Sequence, residues 1–176
     1  LKYADDVDLV VPASHSQTVV AELDSISSWA STNNLKLNVS NSCELIVKRP
    51  RLSPVDPCIP PPVPGLTRVT SLKTLGVTFS DKLDFSEHFR NVVAKASKSM
   101  YALKILRAHG LCGQRLWRVC EATSVTHLTY AAPAWWGYAD SGAKHQLQSV
   151  LAKLKRYGFL PPDFSSHQQL CDKMDK

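Results

Sequence analysis

Leu1-Lys2-Tyr3-Ala4-Asp5-Asp6-Val7-Asp8 sets two adjacent carboxylates between apolar residues, and a β-favouring run, Leu9-Val10-Val11, resumes at once. Read as a hairpin, the stretch puts Ala4-Asp5-Asp6 at the turn, because Asp tolerates the left-handed backbone that tight turns demand. Neighbouring carboxylates repel each other, and a hydrophobic core has no use for either. A divalent cation relieves that repulsion: Mg²⁺ binds one or two protein carboxylates and shares its other positions with water and substrate phosphates. Asp5 and Asp6 are therefore the candidate metal ligands and catalytic carboxylates. An acidic surface turn is the plainer alternative, and a motif this short leaves both open.

The rest of the chain bears on that choice. Tyr3-Ala4-Asp5-Asp6 resembles the active-site tetrad of reverse transcriptases. Downstream come Trp29, Asn33-Asn34-Leu35-Lys36-Leu37-Asn38, Leu75-Gly76-Val77 and Phe85-Ser86-Glu87-His88, in the order seen in non-LTR (LINE-type) retrotransposon polymerases. Tyr130-Ala131-Ala132-Pro133-Ala134-Trp135-Trp136-Gly137 is similar to the thumb-side segment that follows in those proteins. The resemblance runs from Leu1 to about Tyr157. Each block is weak alone, and five in one order are specific.

The resemblance implies an α+β fold: a partial polymerase palm of antiparallel strands plus a helix, followed by an all-helical thumb-like region. Residues 1–82 would form the palm part, with the active-site hairpin and a Pro-rich insertion at 50–65. Residues 83–157 would form the thumb-like part, and 158–176 a tail that departs from the family. The implied activity is RNA-directed DNA synthesis by two-metal nucleotidyl transfer, with Mg²⁺ as cofactor and an RNA template and DNA primer or target as partners. Asp5 would ligate metal with Asp6 in support, Tyr3 and Ala4 would lie beside the incoming nucleotide, and Leu75, Gly76 and Val77 would grip the primer end. The aspartate of the preceding palm strand, the fingers and any endonuclease domain would precede Leu1, so the chain reads as a fragment. Asn41 stands where the family commonly carries a lysine near the triphosphate, and Cys43 where a second basic residue is common. Asparagine cannot supply an ammonium charge.

Composition narrows the classes. At 176 residues with 44% hydrophobic content and four tryptophans, the chain can bury a sizeable core. It has no apolar run of about 18 residues and no basic leader, so neither a membrane span nor a signal peptide is expected. Five cysteines, an odd number without a CxxC pair, fit reduced thiols in the nucleus or cytoplasm better than disulfides or zinc. The six histidines are scattered, and His167 with Cys171 is too little for a metal cluster.

The net charge of +6 is localised. Between His88 and Cys120 stand Arg90, Lys95, Lys98, Lys104, Arg107, Arg115 and Arg118, with no acidic residue. Removing these seven from 21 basic residues leaves 14 against 15 acidic ones, so the remainder is nearly neutral. Such a stretch is the electrostatic footprint of phosphate-backbone contact. Arg90, Lys95, Lys98, Lys104 and Arg107 are the candidate nucleic-acid contacts.

Local patterns place the elements. Ser14 and Gln17 have capping-box spacing ahead of a helix with Val19, Val20, Leu23, Ile26 and Ala30 on one face, stopped at Asn33-Asn34. Leu35 to Val39 alternates like a strand, with 43–47 as its hairpin neighbour. Residues 50–64 hold seven of the eleven prolines and predict an exposed, extended linker. Residues 68–79 are β-rich, and Gly76 suits close approach of a nucleic-acid backbone. Asp84 and Glu87 form a second capping box, opening a long helix with Phe89, Val92, Val93, Ala96, Met100 and Leu103 inward. Two more helices follow over about 114–130, ended by Pro133, and 144–157, with Trp135 and Trp136 between them as packing residues or, as the alternative, platforms for stacked bases. The tail from Gly158 lacks a sustained apolar period and is expected to pack poorly.

Overall fold

The computed structural model describes residues 2–3, 5–47 and 59–174. The chain is mixed α+β and divides into two compact units, Leu1–Thr70 and Ser71–Lys176. The β-hairpin ahead of residue 82 falls in the unit that holds most of the helices.

The first unit opens with β1 (Lys2–Tyr3) and β2 (Asp6–Val7), antiparallel, with Lys2 opposite Val7 and Tyr3 opposite Asp6. The strand does not resume at Leu9: residues 8–12 are irregular and Val10 is 87% exposed. A 3₁₀ segment, Ala13–Thr18, then leads into α1 (Val19–Thr32). The Ser14–Gln17 capping box does not form, because those residues lie inside the 3₁₀ turns and Ser14 Oγ pairs with His15 Nδ1. The C-terminal stop does form. Asn34 is left-handed (φ 57), and Leu35 N–H and Asn34 N–H donate to the carbonyls of Ala30 and Ser31, the Schellman pattern.

The expected strand at 35–39 is absent. Residues 35–38 are irregular and Val39–Asn41 is a 3₁₀ turn. β3 (Cys43–Leu45) pairs instead with β4 (Thr67–Val69), and the pairing is parallel. The Pro-rich segment thus joins two paired strands; its residues 48–58 lie outside the described part, and 59–64 carry no strand. Arg68 fixes the register, donating to Glu44 at 2.9 and 3.2 Å and to the Pro60 carbonyl at 2.9 Å.

The second unit begins with β5 (Ser71–Thr74) and β6 (Val77–Ser80), antiparallel across a two-residue turn. Leu75 (φ 46) and Gly76 (φ 85) are both left-handed, as a tight hairpin with the strands' own twist requires. α2 (Ser86–Ala108) is the central helix, packed against β6, α3 (Gly113–Cys120), α4 (Thr126–Thr129) and α6 (Ser141–Arg156). Asp84 Oδ1 accepts from Ser86 N–H and Oγ, whereas Glu87 pairs outward with Ser71, so the second capping box is replaced by an Asx turn. His88, Phe89, Val92, Ala96, Met100 and Leu103 face the core.

A π-helical turn, Glu121–Val125, makes one continuous helix of α3 and α4. That helix ends at Tyr130, and Pro133 starts α5 (Ala132–Trp135) rather than ending what precedes it. α6 is capped by Asp140 and buries Leu147, Val150, Leu151 and Leu154. The tail corrects its expectation. Phe159, Leu160, His167 and Cys171 are buried, and α7 (His167–Met174) docks on α4, α5 and α6. An eight-residue helix needs few apolar positions when one is a satisfied histidine. His167 Nε2 donates to the Leu128 carbonyl at 2.8 Å, leaving Nδ1 to face Cys171 Sγ at 3.6 Å.

Candidate functional site

Asp5 sits in the turn between β1 and β2, and Asp6 begins β2. Both are exposed. The local reason is the one read from sequence, since two-residue turns need residues tolerant of unusual φ and the acidic side chains need water. Ala4 and the side chain of Tyr3 lie outside the described residues. Asn41 is exposed on its 3₁₀ turn and Cys43 is half-buried on β3. Among the described residues no three His, Cys, Asp or Glu side chains converge as a metal site.

Leu75, Gly76 and Val77 form the tip of the second hairpin, and their surroundings alter the reading made from sequence. A Cβ on Gly76 would lie 2.9 Å from Tyr130 Cε1, and Tyr130 Oη donates to the Leu75 carbonyl at 3.0 Å. The close approach that calls for glycine is to a tyrosine ring of the same unit. A half-open apolar cavity of about 400 Å³ lies beside it, lined by Leu75, Val77, Phe79, Phe85, Tyr130 and Ala134 among others. Ala131, also on its wall, is left-handed (φ 52), and Trp135 Nε1 donates to the Tyr130 carbonyl.

No family model, curated protein or solved structure matches this chain.

The basic residues of α2 are all exposed, yet they do not share one face. Successive helical residues turn by roughly 100°, so Lys104 stands about 180° around the axis from Lys95, and Arg107 likewise from Lys98. Arg90 and Arg107 are about 25 Å apart along the helix. At its C-terminal end α2 meets the end of α6. Arg107 donates to the Tyr157 carbonyl at 2.6 Å and lies 4.8 Å from the Phe159 ring. Lys104 Nζ and Arg156 Cζ lie 5.0 and 5.3 Å from the Tyr157 ring. The Arg156 guanidinium, aided by Lys104 and Lys153, holds the Tyr157 phenol below its usual range. The α6 contribution was missed from sequence, although residues 141–162 also contain no acidic residue.

Trp135 and Trp136 belong to packing. Trp135 is fully buried between His88 and His167, with ring centroids at 5.3 and 6.5 Å. Burial, with Lys95 adding repulsion, lowers the His88 pKa. Burial also lowers that of His167, opposed in part by its bond to Leu128. The thiols of Cys120 and Cys171 are pushed up to about 12 by burial, so neither is a nucleophile at neutral pH. Among the described residues no helix is long and apolar enough to cross a membrane.

Proposed function

We propose that this chain is a palm and thumb piece of a reverse transcriptase of the non-LTR retrotransposon type, carrying one of the two carboxylate sets of a two-metal nucleotidyl-transfer site. The observation that carries the reading is the first hairpin, with Asp5 at the turn and Asp6 opposite Tyr3 between short β-strands. It is supported by the order of the other motif blocks and by the helical unit that follows. In this reading Asp5 and Asp6 hold Mg²⁺, which would stabilise the attacking and leaving oxygens once the aspartate of the other palm strand is supplied. Positioning and electrostatics account for nearly all of phosphoryl-transfer catalysis. A complete site in this reading needs a second carboxylate set from another palm strand, and Asn41 supplies no charge near the triphosphate; without that set, nucleotidyl transfer is not expected.

The test has two parts. Mn²⁺ titrated into the protein should broaden the amide signals of the first hairpin before any others, and Asp5→Asn/Asp6→Asn should remove that effect. Primer extension on an RNA template with Mg²⁺ or Mn²⁺ should give no product. Broadening that ignores the double substitution would sink the metal assignment; extension abolished by Asp5→Ala would show that the chain rebuilds a complete site.

A second reading, a nucleic-acid-binding unit without catalysis, is favoured by one further observation. α2 after Glu87 and α6 pack together, and neither carries an acidic side chain.

A further inference from the structure

We infer that the joint between the C-terminal ends of α2 and α6, centred on Tyr157, is the primary contact surface for a nucleic-acid phosphate backbone. This rests on the nucleic-acid reading above and moves its centre away from Lys95 and Lys98. The joint gathers cations from two helices. Lys104 comes from α2, Lys153 and Arg156 from α6, and all three are exposed.

The neighbouring cations are used structurally, which separates the two roles. Arg107 is tied to the Tyr157 carbonyl and stacked on Phe159, and Lys155 is tied to the Phe164 carbonyl. They fix the chain around Gly158, whose carbonyl also accepts from Trp117 Nε1 at 3.2 Å. Lys104, Lys153 and Arg156 are left facing water.

Cations in a last helical turn also complement the helix dipole. That ordinary role accounts for one or two of them, but not for a cluster built by two helices that carry no acidic residue after Glu87. Tyr157 pre-positions the cluster. Its ring holds Lys104 and Arg156 against their mutual repulsion, so less side-chain freedom is lost when an anion arrives. The phenol's pKa is lowered by its hydrogen bond with Arg156 first and then by the charges of Arg156, Lys104 and Lys153, in keeping with the same cluster. A bound polyanion relieves the repulsion, so binding should also raise the melting temperature.

The test is fluorescence anisotropy with a labelled RNA–DNA hybrid and a labelled single strand over a series of KCl concentrations, using the full chain. Lys104→Ala/Lys153→Ala/Arg156→Ala should flatten the slope of log affinity against log salt by about two, at 0.7 to 0.9 per phosphate contact. Lys95→Ala/Lys98→Ala should change it by less than about one. Tyr157→Leu keeps every charge, so it should weaken binding several-fold while leaving the slope intact, an outcome that loss of folding would not give. Near-ultraviolet circular dichroism confirms that each variant keeps the parent's packing.

Loss of slope in the Lys95/Lys98 variant, with the triple variant unchanged, would overturn the joint and leave nucleic-acid binding standing. An unmodified chain that binds neither probe at low salt would overturn both. Binding to phosphatidylserine vesicles with the same residue dependence and greater avidity would reassign the surface to membranes.

Discussion

The two units of this chain are built to different standards. In the second, β5–β6 and five helices close around Phe89, Leu103, Trp135, Leu147, Leu151 and Phe159, each nearly inaccessible to water. In the first, Ala30 is the one fully buried hydrophobic residue among those described, while Val20, Leu35, Val39 and Val47 are each more than half exposed. Both units contain amphipathic sequence. What separates them is whether each apolar stripe finds a second layer, since burial needs two surfaces. The carboxylates sit on the thinly packed unit and the cationic joint on the well-packed one. A site made by rigid packing can order cations in advance; a two-stranded hairpin is only marginally stable without further support.

Truncation to alanine in each unit should expose that contrast most strongly. Trp135→Ala removes a buried indole, its bond to the Tyr130 carbonyl and its contacts with two histidines. It should lower the unfolding free energy by about 3–5 kcal/mol in urea titration. Val20→Ala, on the exposed side of α1, should cost less than about 0.5 kcal/mol. Similar losses at both positions would mean that the first unit has a core that its exposure conceals.

The next effect is a pH dependence of the second unit. His88 and His167 have folded-state pKa values below the ordinary value near 6.5. Protons then bind the unfolded chain more tightly, so their stabilising contribution is complete above about pH 6.5 and is lost as pH falls toward the folded values. Among the described residues, His88 Nε2 is buried without a hydrogen-bond partner, and Nδ1 accepts a long bond, 3.4 Å, from Thr78 N–H. Its protonation therefore has nothing to offset it. Unfolding free energy measured from pH 7.5 downward should decline below about pH 6.5, each histidine contributing up to about 1.4 kcal/mol per pH unit. His88→Gln should flatten part of the decline, and no change in the curve would contradict the burial argument.

A smaller and purely local effect belongs to the β3–β4 pair of the first unit. Arg68→Ala removes the bidentate pair with Glu44 and the bond to Pro60. A partly exposed pair of this kind contributes about 0.5–1 kcal/mol. The loss should appear as faster amide exchange at Cys43–Leu45 and Thr67–Val69, with the global unfolding midpoint unchanged. A shifted midpoint would mean that the units unfold together.

Long apolar periods made most of the second unit legible in sequence. The stripe from Phe89 to Leu103 and the one from Leu147 to Leu154 lie inward as expected. The first hairpin and the Asn34 stop were legible because turn chemistry is local. Non-local choices were not. Alternation at 35–39 cannot reveal that residues 43–45 prefer a parallel partner across a Pro-rich connection. Nor can single positions such as His167 and Cys171 announce that a short helix docks through a buried histidine bond. A glycine at 76 signals a close approach, but only the fold identifies the neighbour as Tyr130 instead of a nucleic-acid backbone.

Residue-resolved native-state hydrogen exchange tests the two-unit account most directly. Amides of α2, the α3–α4 helix and α6 should exchange through one shared, global opening. Those of α1 and of the β3–β4 pair should exchange through local openings several kcal/mol cheaper. A single common opening free energy across α1, β3–β4 and α2 would contradict the account.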